Sequence, residues 1–239
     1  IQYRTPYSSK IQGANEHTGS TFTERGVGFS YICNTMRSAS YFISLLFHPL
    51  FLPLYATWLL LNSDNYLTYA VPDKFQQYLY LVIFISTALL PASLTWMMWQ
   101  KGWISSMEME DRKERSIPYI ITLSCYVATV YLLFRLPLPR LFALTIVGAG
   151  FAILLAFIIN LRWKISIHMI GIGGLMGLFY GYGKFFHMKV LDITILLAIA
   201  AGIIAAARLY RSSHTPSQVY TGFIAGFTIE LGLLYYLQY

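Results

Sequence analysis

Charge is scarce in this sequence of 239 residues: only 11% are Asp, Glu, Lys or Arg, against about a quarter in an ordinary soluble domain. With 56% apolar and 17% aromatic residues, so thinly charged a chain is excluded as an independent water-soluble globule and matches a polytopic membrane protein. Acidic groups are the rarer sign, 10 against 17 Lys and Arg, for a formal net charge of +7. The basic groups sit between apolar runs, where anionic headgroups or phosphate are nearer partners than nucleic acid. Cysteine is almost absent. Cys33 and Cys125 are too few for a disulfide framework and have no metal-ligand spacing; Cys125, inside an apolar run, is expected as a small core residue. Residues 1–35 lack an apolar period, a signal-type apolar stretch and a cleavage signature. Residues 1–37 are therefore expected to be a polar leader, disordered or not native, with Met36 a candidate first residue, and 38–239 a single membrane domain.

A helix needs about 20 residues to cross about 30 Å of hydrocarbon. Six stretches free of charged residues approach or exceed that length: 38–63, 75–100, 116–134, 141–161, 165–183 and 212–229. A seventh, 193–207, becomes long enough if Leu191 and Tyr210 lie at the interfaces. The expectation is an all-α bundle of about seven transmembrane helices, with 193–207 the weakest member. Asn62 to Asn65, Pro72-Asp73 and Pro137-Leu138-Pro139 punctuate the connections. Trp99, Trp103, Trp163 and Lys164 crowd the ends as interfacial anchors do. The stretch 165–183 carries Gly171, Gly173, Gly174, Gly177, Gly181 and Gly183. No strand precedes them, so close helix packing, not dinucleotide binding, is the expected use.

Most informative polar residues fall in three connectors: 107–118, 162–168 and 207–218. Two crossings separate each from the next, which puts all three on one membrane face. Arg112, Lys113, Arg115, Lys164 and Arg208 can neutralise a phosphate there, Arg through its bidentate fork. His168 and His214 stand at the starts of two helices, where unpaired N–H groups favour an anion. One imidazole can attack phosphorus while the other protonates the leaving alkoxide, and imidazole suits both tasks because its ordinary pKa lies near working pH.

These residues carry a family resemblance. Arg208-x5-His214-x3-Gln218, followed by small residues at Gly222 and Gly226, resembles the third signature of the type 2 phosphatidic acid phosphatase superfamily, Ser-Arg-x5-His-x3-Asp. Ser166-Ile167-His168 is similar to the core of the second, Pro-Ser-Gly-His, and 111–118 loosely replaces the first, Lys-x6-Arg-Pro. The resemblance covers roughly residues 105–230. It implies a core like that family's, His214 as a nucleophile forming phosphohistidine, His168 as general acid, and Arg208 and Ser166 on phosphate oxygens. Arg112, Lys113 and Arg115 stand where the first basic signature would be, and the choice among them is open. No metal or other cofactor is implied, the positive charge coming from side chains. The implied substrates are lipid phosphates or isoprenyl diphosphates, and the implied location a bacterial inner membrane with the site on the outer face.

Ala207, Ile165 and Ile167 depart from the signatures, and Gln218 replaces the Asp that would orient and charge-stabilise His214. A neutral amide can accept from the ring N–H, but it can also donate and favour the wrong tautomer. In serine proteases the analogous loss of the carboxylate costs about 10⁴ in turnover. The alternative is therefore a weak or inactive relative that binds lipid phosphate. A plainer reading makes Thr215-Pro216-Ser217-Gln218 a capping box, and Glu108 to Arg115 a solvated loop or headgroup anchor. His48-Pro49 with Pro53 reads as a kink in a span with His48 hydrogen-bonded, His187 as a headgroup contact on the opposite face, and Glu230 as a helix-pairing group inside the last span. A prenyltransferase would need paired Asp-rich motifs for magnesium, and only one acidic cluster is present. A transporter has less support, with few ionisable groups inside the spans.

Overall fold

The computed structural model describes residues 35–63, 69–109 and 111–237, and every regular element among them is helical. Ser40–Tyr239 is one compact unit. We label the helical segments α1 (Thr35–Asn62), α2 (Asp73–Gln100), α3 (Ser116–Arg135), α4 (Arg140–Asn160), α5 (Ile167–Phe185), α6 (Leu191–Tyr210) and α7 (Pro216–Leu237). Six of them, all but α5, are long and apolar enough to cross a membrane. The expectations for residues 1–34, Cys33 among them, lie outside the described residues.

The side chains on the outside agree with a bilayer. Phe42, Trp58, Val127, Ile199 and Ile224 all expose more than half their area. Such surfaces are an aggregation liability in water and ordinary against lipid chains. Cys125 is buried on α3, as expected. The stretch 193–207 extends to Leu191 and Tyr210 and is amply apolar at mean hydropathy 2.1. The element that falls short of a span's apolarity is α5. Its six glycines, tyrosines, His168 and Lys184 dilute it, because it is the helix the others surround and its composition serves packing instead of lipid contact.

Glycine makes that packing possible. An ideal Cβ on Gly173 or Gly177 would collide with the carbonyl of Phe223 or Phe227, and one on Gly226 with that of Ile170; on Gly222 it would lie 2.8 Å from the Ser166 carbonyl. The pairs 166–222 and 170–226, and likewise 173–223 and 177–227, rise together along the two helices, so α5 and α7 run parallel, backbone against backbone, with their first turns at the same end. Main chain cannot yield as a side-chain tip can. Gly226→Ala is therefore expected to lower stability by at least about 1–3 kcal/mol. At Gly150, where a Cβ meets nothing within 4 Å, alanine should add about 0.5–1 kcal/mol. Thermal unfolding of both variants in detergent measures the contrast, and equal midpoints would contradict the parallel contact.

Two irregularities shape the other helices. In α2 a π turn at Phe84–Leu89 precedes Pro91, relieving the ladder where proline has no N–H to give. In α1 the helix breaks at His48-Pro49: the His48 N–H turns to the Leu45 carbonyl (3.2 Å), and the His48 ring accepts the Leu50 N–H (3.4 Å) as a cap for the short turn Pro49–Phe51. The kink expected here is present, with His48 hydrogen-bonded. Deep in the bundle, Glu230 is buried on α7 against Gly148 of α4 and Gly174 of α5, glycines that leave room for its carboxyl between helices.

Candidate functional site

Three connectors meet at one end of the bundle. Arg211 forms an ion pair with Glu108 (2.6 Å), joining the loop after α6 to the loop before α3. The side-chain amide of Asn160 donates to the Arg112 carbonyl (2.8 Å), and the Arg112 guanidinium donates back to the carbonyls of Asn160 (3.4 Å) and Leu161. That exchange fastens the same loop to the end of α4. The parallel start of α5 and α7, with α6 returning between them, brings in the second and third connectors.

At this end the side chains divide into those that converge and those that do not. His168, the second residue of α5, is buried, and it donates from Nε2 to the main-chain carbonyl of Ser44 (3.0 Å). A carbonyl only accepts, so the ring proton sits on Nε2. Arg208, in the last turn of α6, donates to the Ser44 hydroxyl (3.4 Å). The His48 ring stands edge-on to His168 with centroids 5.5 Å apart. His214, buried in the loop before α7, is close enough for its charge state to feel Arg208, Arg115 and Lys164. Arg115, buried at the start of α3, is steered by a bond from its Nε to the Met109 carbonyl (2.7 Å). Ser166 is fully buried immediately before α5.

Two candidates from the first basic signature are placed elsewhere. Arg112 spends its guanidinium on the main chain at the end of α4, and Lys113 is exposed, its main-chain N–H turned to Asp111 (3.0 Å). Arg115 alone of the three is near enough for its charge to act on Arg208 and His214. Conversely, Ser44 and His48 belong to the cluster and were not candidates. Their signal was present: a proline break inside an apolar span leaves a carbonyl without its helical donor. In a regular helix the His48 N–H would occupy the Ser44 carbonyl; because it bonds to Leu45, His168 takes the place.

Gln218 resolves two readings into one. The Thr215 hydroxyl accepts the Gln218 N–H (3.4 Å), while Gln218 Oε1 accepts the Thr215 N–H (3.2 Å): a reciprocal capping box. The same Oε1 accepts from His214 Nδ1 (3.0 Å). The backbone N–H of Thr215 can only donate, so it holds the amide oxygen, not the nitrogen, toward His214. The imidazole is thereby fixed as the Nδ1–H tautomer with its lone pair on Nε2, the form a nucleophile needs.

Burial pushes His214 down to about 3, with Arg208 adding to the shift and Arg115 and Lys164 contributing less, against the raising effect of the Gln218 bond. The folded chain thus keeps His214 neutral, whereas an unfolded chain protonates it near 6.5. As pH falls from about 6.5 toward about 3, the unfolded state takes up a proton that the folded state refuses, and stability is lost over that window. Histidine ¹⁵N spectra in detergent should show His214 neutral and Nδ1–H at pH 6; titration of that ring near its ordinary value would contradict this environment.

Three buried polar atoms of the cluster have no hydrogen-bond partner among the described residues: Ser166 Oγ, His168 Nδ1 and Arg208 Nε. A serine directly before a helix normally caps it, yet Ser166 makes no such bond. One donor, one acceptor and one hydroxyl left unmet next to a neutral imidazole and several cations form a polar set suited to a tetrahedral anion. Among the described residues no three His, Cys, Asp or Glu side chains come together in a way that could hold a metal ion. No family model, curated protein or solved structure matches this chain.

Proposed function

We propose that this chain is an integral membrane phosphatase acting on lipid phosphates or isoprenyl diphosphates through a phosphohistidine, a divergent relative of the type 2 phosphatidic acid phosphatases. In this reading α5 is a seventh crossing. The observation that carries the proposal is the meeting of His168, Arg208 and His214, contributed by three different segments, in one buried cluster whose unpaired atoms complement a phosphate. Arg208, Arg115 and Lys164 supply the positive charge on which a developing phosphoryl anion depends. His214 attacks phosphorus from Nε2, and the Gln218 amide supports the proton left on Nδ1. His168 serves the leaving oxygen and Ser166 a phosphoryl oxygen. At the helix ends, the site lies where a lipid headgroup lies.

The test is inorganic phosphate release by the full chain in detergent from phosphatidate and isoprenyl diphosphates, in the presence of a chelator. Release is expected; its absence with every substrate contradicts an enzyme. The neutral Gln218 favours a second reading, a protein that binds lipid phosphate without turnover. Gln218→Glu separates the two, because it keeps the reach to His214 and adds the missing charge. Turnover that arises only in this variant identifies the native chain as the binder.

A further inference from the structure

His168 carries a single ring proton, and the proposed reaction needs one on the leaving oxygen. Its single ring proton is committed to the Ser44 carbonyl, which the break at His48-Pro49 made available. Its other nitrogen, Nδ1, is buried and meets no donor among the described residues. The charged or titratable groups around the ring are His48 from α1, Arg208 from α6 and His214 from the loop before α7. Beyond them, Arg115 and Lys164 face His214, while Arg211 and Glu108 face Arg208. Neither neighbouring imidazole donates to Nδ1. His214 holds its proton against Gln218, and His48, whose Nδ1 accepts from Leu50, carries its proton on Nε2, an N–H that makes no hydrogen bond to His168. In this state His168 can accept a hydrogen bond but has no proton for a leaving group.

We propose that this proton arrives on the substrate: the site selects the hydrogen-phosphate form of its ligand, whose P–OH donates to His168 Nδ1. The inference rests on the phosphatase reading and deepens it. The P–OH proton passes to Nδ1 as the phosphoryl group settles against Arg208. His214 Nε2 forms the N–P bond as the P–O bond to the alcohol breaks, and Nδ1–H returns the proton to the departing alkoxide oxygen. Water then attacks the phosphohistidine, giving a proton to His168 Nδ1, which hands it to the released phosphate. One phosphate monoester and one water become one alcohol and dihydrogen phosphate, with both imidazoles back in their starting tautomers. A fully ionised phosphate would instead set an oxygen lone pair against the lone pair of Nδ1. Ser44 is then a positioning residue, acting through the ring it orients.

The experiment uses the full native chain in detergent and two non-hydrolysable probes, a long-chain alkylphosphonate and its α,α-difluoro analogue, whose second ionisation lies at lower pH. Calorimetric binding is measured across the pH range that brackets both ionisations. Each Kd is expected to weaken about tenfold per pH unit above that ligand's own second ionisation, so the two curves are displaced from each other by the difference between the ligands. Curves that break at a common, protein-set pH, or dianions bound as tightly as monoanions, overturn the inference while leaving the phosphatase reading intact. No saturable binding of either probe at any pH overturns both. In a His168→Ala chain that still binds, the dependence on ligand ionisation should disappear; its persistence would also overturn the inference.

Discussion

His214→Ala is expected to release phosphate from its lipid substrate about 10⁴–10⁶-fold more slowly than the native chain, the range seen when a nucleophile is removed from an otherwise intact hydrolase. The size follows from the nucleophilic role proposed for His214 alone. Among the described residues of the cluster no second nucleophile stands ready: His168 is committed through Nε2, and Ser166 Oγ has no base bonded to it. The fixed tautomer is lost with the ring, and Gln218 keeps only its capping bonds to Thr215. The helix start should therefore survive, and thermal unfolding in detergent can establish that the loss is chemical. A fall smaller than tenfold in a folded variant would remove His214 from the reaction.

Arg208→Ala should be the next most damaging change, lowering turnover by about 10²–10³-fold, as losing one preorganised transition-state donor does. The proposed reaction gives Arg208 two tasks. One terminal nitrogen is anchored on the Ser44 hydroxyl, which itself donates to the Ser40 carbonyl (2.9 Å), while its Nε is buried without a partner. The first task holds the guanidinium against α1; the second leaves a donor for a phosphoryl oxygen. Arg208→Lys keeps the charge but not the planar fork, and should recover only part of the rate. Full recovery with lysine would reduce Arg208 to a point charge. Steady-state rates of the three proteins decide between these outcomes, a drop in kcat distinguishing transition-state stabilisation from lost binding.

Much of the architecture was legible because charge avoidance is a strong constraint in a membrane. The charge-free stretches 75–100, 116–134 and 141–161 lie within a residue or two of α2, α3 and α4. The weakness of 193–207 was misplaced. That stretch is short only by the rule of counting between charges, and Arg208 sits inside the last turn of α6, where a long side chain can reach the interface. Gly171 to Gly183 did announce close packing, but not its partner. That α7 receives α5 through Gly222 and Gly226 depends on a parallel register that local sequence does not encode.

At the candidate site the limits were different. Spacing along the chain put Arg112, Lys113 and Arg115 on equal terms, because residues this close in sequence differ chiefly in direction. Only the anchoring of Arg112 at Asn160 and Leu161, and the exposure of Lys113, separates them from Arg115. Ser44 and His48 lie more than a hundred residues before His168, and their part depends on a main-chain carbonyl, which no side-chain motif records. From sequence, Gln218 fits either a cap or a triad-like orienting group. It is in both bonding patterns, and the capping donor determines which atom of the amide faces the imidazole.

In the proposed reaction His214 Nε2 becomes bonded to phosphorus. Rapid acid-free quenching of the full chain with a phosphate-labelled lipid substrate, followed by peptide mapping, tests that bond directly. The prediction is a label on His214 that survives alkali and is lost in acid; phosphate released in step with turnover while no label ever reaches His214, or a label carried by another side chain, would contradict it.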